Sequence, residues 1–454
     1  MMRRRQFLHA SAVTALAAAT GCLGGDPEAG RSRDPSTTQT TTGTTPTDEI
    51  PEPTQDGGWP MADFAASATG HNPDASTAEP SGTEWTLSFR EHEWVSDPAV
   101  DAEHAFFGVK DWAETPATSE VRAHALAEGS ETWSRSLPYG QVFSPALGDC
   151  DGDDAVFVAS GQDNSNTDHG HGEVRALSRD SGDRLWSQSF DIELVGPPVY
   201  ARDRVFVPAE GLGEGGVYAL DAASGEEDWF FDAARDPSHS PTVAGDTVYV
   251  SSDRDELAAL DVETGDVDWR TSAEGDTTRP VVNQPDDLVY VGYQHGLQAF
   301  EADTGESAWT FEVTDPSIPP EDYLGVTSEP VLAGDTLYVR TSDTSGFAVG
   351  DPGELHALDA ASGDKRWQLS DGHPGSRVVG ADDHAILSRV PVGETEGGQE
   401  SDADGELVCV TPEGEVKWTD GQWEPMAVGN DYLFCFRGSR WSAPGTTTVA
   451  ARSV

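Results

Sequence analysis

The chain has 454 residues, of which 81 are acidic and 27 basic, for a net charge of −54. That balance excludes a nucleic-acid binder, which needs clustered Lys and Arg. It does not describe a disordered acidic chain either, because 13 Trp, 16 Phe and 9 Tyr are spread through patterned segments. Self-repulsion on this scale strains a compact fold at ordinary salt. It fades where the Debye length shrinks to ~3 Å, near ~1 M salt, so the composition reads as that of a salt-loving organism.

The N-terminus reads MMRRRQFLHASAVTALAAATGC. Arg4 and Arg5, followed by Gln6-Phe7-Leu8, resemble a twin-arginine export motif. The apolar run that follows is too short to span a bilayer, which takes about 20 residues. Thr20-Gly21-Cys22 resembles the end of a lipobox, although Ala19 stands where Leu is usual. The resemblance implies a signal peptide over 1–21 and lipidation of Cys22, with the chain exported and held on the outer face of the cytoplasmic membrane by its lipid alone. Residues 22–58 then form a Thr/Pro-rich linker with no apolar period, unable to bury a core. Residues 59–84 form a lead-in to the folded part, 85–454.

From there one phrase recurs. Seven tryptophans, Trp133, Trp186, Trp229, Trp269, Trp309, Trp367 and Trp418, each stand four residues after a glycine. ALDAASGEEDW, ALDVETGDVDW and AFEADTGESAW show the unit at a 40-residue period. An apolar strand leads into a Gly turn, where φ > 0 is needed, and a returning strand carries the Trp. Upstream lies a second strand pair, clearest in SPTVAGDTVYVSS and EPVLAGDTLYVRT. Four strands in about 40–58 residues is the size of a propeller blade. Trp85 precedes any complete unit and reads as a fourth strand without its first three. The segment after Pro425 supplies three strands and stops. The two fragments make one blade, giving an all-β, eight-bladed β-propeller closed by pairing the N-terminal strand with the C-terminal strands. Closure removes the sheet edges that invite aggregation. The Trp residues, Trp85 included, are therefore read as structural.

The phrase ALDxxTGxxxW resembles the blade signature of the pyrroloquinoline quinone (PQQ)-like β-propellers, a family of quinoprotein dehydrogenases and BamB-type lipoproteins. The lead-in Trp59-Pro60 to Pro73 is similar to that of exported archaeal members. Two functions follow from the resemblance. One is a cell-surface scaffold that binds an envelope protein or an extracellular polymer, as a monomer and without a cofactor. The alternative is a PQQ-dependent dehydrogenase, or another extracellular redox or polymer-degrading enzyme. A quinone site in that family implies calcium, a carboxylate base and usually two adjacent cysteines. Cys150, Cys409 and Cys435 are far apart in sequence.

Loops on a rigid scaffold carry function. The long insertions fall on the face opposite the Gly turns, and so do His92, His169, His171, His239, His295 and His373. The residues opening each blade, Asp97, Ser144, Ser240, Arg279, Glu329 and Arg377, should ring the mouth of the central channel. Together these make the candidate binding face. Two metal sites are also conceivable. His169-Gly170-His171 with Asp168 suits a transition metal. Asp149, Asp151 and Asp153, alternating in one turn, could cage calcium.

Overall fold

A computed structural model of the chain describes residues 58–113, 116–162, 170–211, 215–233, 237, 239–252, 256–273, 275, 277–293, 295–313, 324–326, 328–343, 354–369, 373–390, 405–438 and 447–454. These fold as eight blades of four antiparallel strands, with a single short 3-10 turn at Gln284–Asp286 as the only helix among them. We number the blades one to eight in chain order. Their second strands are His104–Asp111, Asp153–Gln162, Arg204–Glu210, Thr247–Ser252, Leu288–Tyr293, Thr336–Asp343, His384–Val390 and Tyr432–Arg437.

Blade four shows why these residues make these strands. Thr242–Ala244 and Thr247–Ser252 turn back at Gly245, whose φ is +59°. The second strand is buried along nearly its whole length, and so is the third, Glu256–Asp261. Neighbouring blades cover both faces, so these strands read as continuous apolar runs rather than alternating ones. The fourth strand, Val267–Ser272, lies at the rim and alternates between exposed and half-buried positions.

The repeated phrase works between blades, not within them. In Gly129 a β-carbon would lie 2.6 Å from the indole of Trp85, and in Gly265 2.7 Å from Trp229. Both glycines also hold positive φ, +68° and +71°. Each tryptophan thus lies flat on the Gly turn of the following blade, where any side chain would displace it. Its indole N–H donates to a backbone carbonyl there: Trp85 to Leu126 (2.6 Å), Trp133 to Arg179 (2.7 Å), Trp186 to Ala222 (2.8 Å), Trp229 to Val262 (3.1 Å), Trp269 to Ala302 (2.9 Å) and Trp367 to Pro412 (2.6 Å). Trp309 departs from the pattern: Tyr290 Oη donates to the Ala360 carbonyl (2.9 Å), and the Trp309 N–H is buried without an acceptor.

Ring closure follows the sequence expectation. Gly82–Ser88 pairs antiparallel with Thr448–Ser453, placing Trp85 opposite Ala451, in one sheet with Tyr432–Arg437 and Glu424–Gly429. The third and fourth strands of this blade come from opposite ends of the chain, so no hairpin and no Gly turn joins them. Trp418 of blade seven accordingly donates to the Thr77 carbonyl (2.9 Å) of the lead-in.

The axis is not empty. Residues 58–72 wind through it and bond to one innermost strand after another. Trp59 exchanges two backbone hydrogen bonds with Val100 (2.8 and 2.6 Å). The carbonyls of Pro60, Ala66, Ser67, Thr69 and Gly70 then accept from Leu147 (2.8 Å), Val243 (2.8 Å), Val282 (3.1 Å), Leu332 (3.0 Å) and Gly380 (2.8 Å). Asn72 Nδ2 donates to the Val428 carbonyl (2.9 Å), and Met61 packs in the cluster containing Val199 of blade three. All eight blades are touched. Trp59, Met61, Phe64 and Ala68 are buried in the process. The lead-in is therefore a plug before it is a strand.

Candidate functional site at the axial mouth

The turns joining first to second strands and third to fourth strands lie side by side on one face. Leu126 N–H donates to Glu103 (2.7 Å), Ala222 to Asp203 (2.9 Å) and Val262 to Asp246 (2.9 Å). First strands therefore begin on the opposite face, and their opening residues surround the axis above the plug.

The plug contributes a residue to this group that the sequence reading did not single out. Asp63 and Phe64 both adopt left-handed backbone, at φ 57° and 70°, a region non-glycine residues seldom occupy. Asp63 Oδ2 accepts from Arg279 Nη1 at 3.0 Å. Arg279 is buried, and its other donors go to Thr242 Oγ1 (3.3 Å) and the Pro241 carbonyl (2.9 Å). Across the mouth, Arg377 Nη2 meets Asp97 Oδ2 at 2.7 Å, while Nη1 reaches the Met426 carbonyl at 3.4 Å. Glu329 Oε1 stands 3.8 Å from His239 Nδ1.

Electrostatics tie these groups together. Burial, and next the charge of Glu329, push the Asp63 carboxyl above its ordinary value against the pull of Arg279 and Arg377. Burial alone would lower the Arg377 guanidinium; Asp97 first, then Asp63, Glu329 and Glu424, outweigh it and raise it. Four carboxylates thus act on Arg377, and Asp63 also pairs with Arg279. A cavity of about 60 Å³ opens here, lined by Trp59, Asp63, Ser328, Glu329 and Arg377 among others. The mouth is lopsided: charge comes from blades five to eight and one, whereas blades two and four present Ser144 and Ser240.

Asp97, Arg279, Glu329, Arg377 and His239 therefore come together as one group around the mouth. Ser240 stands beside it, its Oγ donating to the Pro197 carbonyl (2.7 Å). The other described histidines of the candidate face have contacts of their own. His171 stacks on Tyr139 (centroids 6.2 Å apart) and lies 3.7 Å from Asp191. His295 packs edge-on to Tyr293 at 6.2 Å, and His92 is exposed, its carbonyl accepting from Trp112 N–H at 3.0 Å. Asp168 and His169 lie outside the described residues, as do Arg4, Arg5 and Cys22, and the His373 side chain is likewise outside the description. In the Asp149 turn, Oδ1 accepts from Gly152 N–H at 2.8 Å. Among the described residues the group whose ligand atoms all fall within 4.8 Å of one another is not Asp149, Asp151 and Asp153 but Asp382, Asp383 and His384. Lys417 Nζ already sits there, 3.3 Å from His384 Nε2.

Eight four-stranded blades, interlocked by Trp on Gly and closed by mixed termini, define a propeller of the PQQ-like repeat type. More particularly, the chain belongs to the family described as outer membrane protein assembly factor BamB, which matches residues 117–235 and 213–390. No curated protein matches the chain in sequence. Among solved structures it is similar to BamB from Moraxella catarrhalis, with 17% identity, 81% of this chain and 99% of that one covered, and a TM-score of 0.54. It is also similar to quinohemoprotein alcohol dehydrogenase from Comamonas testosteroni, with 12% identity, 88% and 81% coverage and a TM-score of 0.62. A computationally designed protein, Ika8, gives 12% identity, 82% and 99% coverage and a TM-score of 0.57. At such identities the likeness speaks for the fold.

Proposed function

We propose that this protein is an envelope scaffold, exported and lipid-anchored through Cys22, that binds a protein or polymer partner through its loop-rich face. The observation that carries this reading is the axial mouth. Residues from six elements, far apart in sequence, converge there, while the plug closes the channel beneath. Membership in the BamB family agrees with a role in holding partners. No described helix is long and apolar enough to cross a membrane.

The likeness to quinoprotein dehydrogenases keeps a second reading in view. A planar quinone needs axial space and, in that family, usually adjacent cysteines to stack against. Here Trp59 and Phe64 fill the axis, and Cys150, Cys409 and Cys435 are separately buried free thiols. These residues do not fit the group. Crosslinking on intact cells followed by mass spectrometry tests the scaffold reading. Recurrent crosslinks from the loop-rich face to one partner support it. An absence of partners, together with PQQ- and calcium-dependent alcohol or aldose oxidation, would overturn it.

A further inference from the structure

Blades five and six meet differently from their neighbours. Every other indole of the belt donates its N–H to a backbone carbonyl. Trp309 of blade five lies on the Gly363 turn of blade six, where a β-carbon would stand 2.4 Å from its ring. Its N–H is nevertheless buried without an acceptor, because Tyr290 Oη holds the Ala360 carbonyl at 2.9 Å. Asn283 Nδ2 donates to that hydroxyl at 2.8 Å and keeps Tyr290 in this role. A buried donor left unpaired gives up its hydration for nothing.

A second break in the pattern lies on the same seam. Arg122, Arg175 and His356 hold equivalent places, one residue before the alanine that pairs with a belt tryptophan. Both arginines bond the glutamate two residues earlier, Glu120 and Glu173. Each also reaches a further acceptor. Arg122 Nη2 donates to Glu93 Oε1 (2.7 Å), and Arg175 Nη1 crosses to the Ser136 carbonyl of blade one (2.9 Å). Blade six keeps the glutamate, Glu354, but puts a histidine in place of the arginine. The His356 ring packs edge-on to Phe311 of blade five, with centroids 5.4 Å apart. Both of its nitrogens are buried without a hydrogen bond, Nε2 standing 3.4 Å from Glu354 Oε2.

The closed seam gives a proton on this ring little support. Val339 and Gln368 stand opposite His356 in the sheet. The fourth strand of blade six also carries Lys365, whose charge opposes a second cation. Blade five offers Phe311, and the adjacent Glu312 is exposed. Burial first, and Lys365 next, hold the pKa of His356 down at about 4. In water an imidazole takes its proton near pH ~6.5. The closed seam therefore holds a neutral ring, and a parted seam lets that ring charge.

We infer that the seam between blades five and six is a conformational device of the ring: its rim parts ahead of the other seams, and acid favours the parting by protonating His356 in the open form. The plug ties both blades at the axis, Ser67 accepting from Val282 (3.1 Å) and Thr69 from Leu332 (3.0 Å). The movement is thus a local opening at the rim. It concerns the ring itself and does not depend on what the binding face holds.

Hydrogen exchange of the intact protein in molar salt, resolved by peptide and corrected for intrinsic rates, tests this at pH ~7.5 and pH ~5. Ser307–Glu312 and Leu355–Asp359 report on this seam, and Glu227–Asp232 with Glu256–Asp261 report on the seam between blades three and four. Protection at the five–six seam should be the lower at both pH values. It should also fall about tenfold or more on acidification, beyond any change at the other seam. His356→Phe, which keeps an aromatic ring there, should remove the extra fall and leave the difference at the higher pH. Equal protection of the two seams, or an extra fall that survives in His356→Phe, would overturn the inference. If the variant does not fold, the comparison of the two seams in the unaltered protein decides alone.

Discussion

The belt of tryptophans and the axis of the ring are built on opposite principles. The belt repeats one solution: an indole laid on the next blade's glycine from Trp85 round to Trp367, its N–H on a carbonyl in every case but Trp309. The axis repeats nothing. Successive residues of the plug meet successive blades, and Asp97, Arg279, Glu329 and Arg377 differ in kind although they occupy equivalent places. Symmetry makes the scaffold, and the residues that break it are where a specific ligand can be told from others.

The largest effect should come where the belt has no covalent hairpin. Deleting Thr448–Ser453 removes the strand that holds Gly82–Ser88 and exposes two edges. Aggregation and loss of the cooperative melt are expected; an unchanged melting curve would mean that the ring does not close there.

Next come the cogs themselves. Trp85→Ala should cost about 3–5 kcal/mol, as for a large buried aromatic, and Trp269→Ala, at a partly buried indole, somewhat less, both measured by denaturant unfolding. A much smaller loss at Trp85 would separate the closing blade from the others.

At the axis, Arg279→Met leaves the partly buried Asp63 without its ion-pair partner, and a loss of about 2–4 kcal/mol is expected, below the full penalty for a buried pair. Adding Asp63→Leu should restore much of it. A double variant no better than the single one would show that the two residues act independently.

Salt should distinguish the two regions. The surface charge of the belt is screened at high ionic strength, whereas the partly buried axial pairs are screened much less. The melting temperature of the unaltered protein should rise steeply from low to molar salt, with the penalty of Arg279→Met nearly constant. A flat response would remove the reading of a salt-adapted surface.

The smallest effect concerns His356, buried between Phe311 and neighbouring strands. Burial, and next the charge of Lys365, lower its pKa to about 4. The unfolded ring takes a proton near pH ~6.5, so the unfolded state binds more protons as the pH falls between these values. Stability from this group is complete above ~6.5 and is lost toward about 4. His356→Phe should lessen the pH dependence across that window; an identical slope would show that His356 does not titrate there.

Much of this was legible beforehand, for a physical reason. A residue used seven times, like Trp four places after Gly, announces itself against a varying background. The places of Asp97, Arg279, Glu329 and Arg377 followed because each blade starts at an equivalent position. Asp63 was not legible. It stands once, in an unrepeated segment, and its partner Arg279 is 216 residues away. The one hint is a lone carboxylate among the apolar residues of WPMADFAA. His171 opens the strand His171–Ser178 and stacks on Tyr139, and His295 packs on Tyr293 in the turn after Leu288–Tyr293.

Hydrogen exchange, followed by mass spectrometry of peptides, tests the axis most directly. The amides of Val243, Val282, Leu332 and Gly380 donate to plug carbonyls at 2.8–3.1 Å. They should exchange as slowly as those of the third strands, such as Glu256–Asp261. Fast exchange at these innermost strands beside slow exchange in the third strands would mean an open channel, and would contradict the plug and the site built upon it.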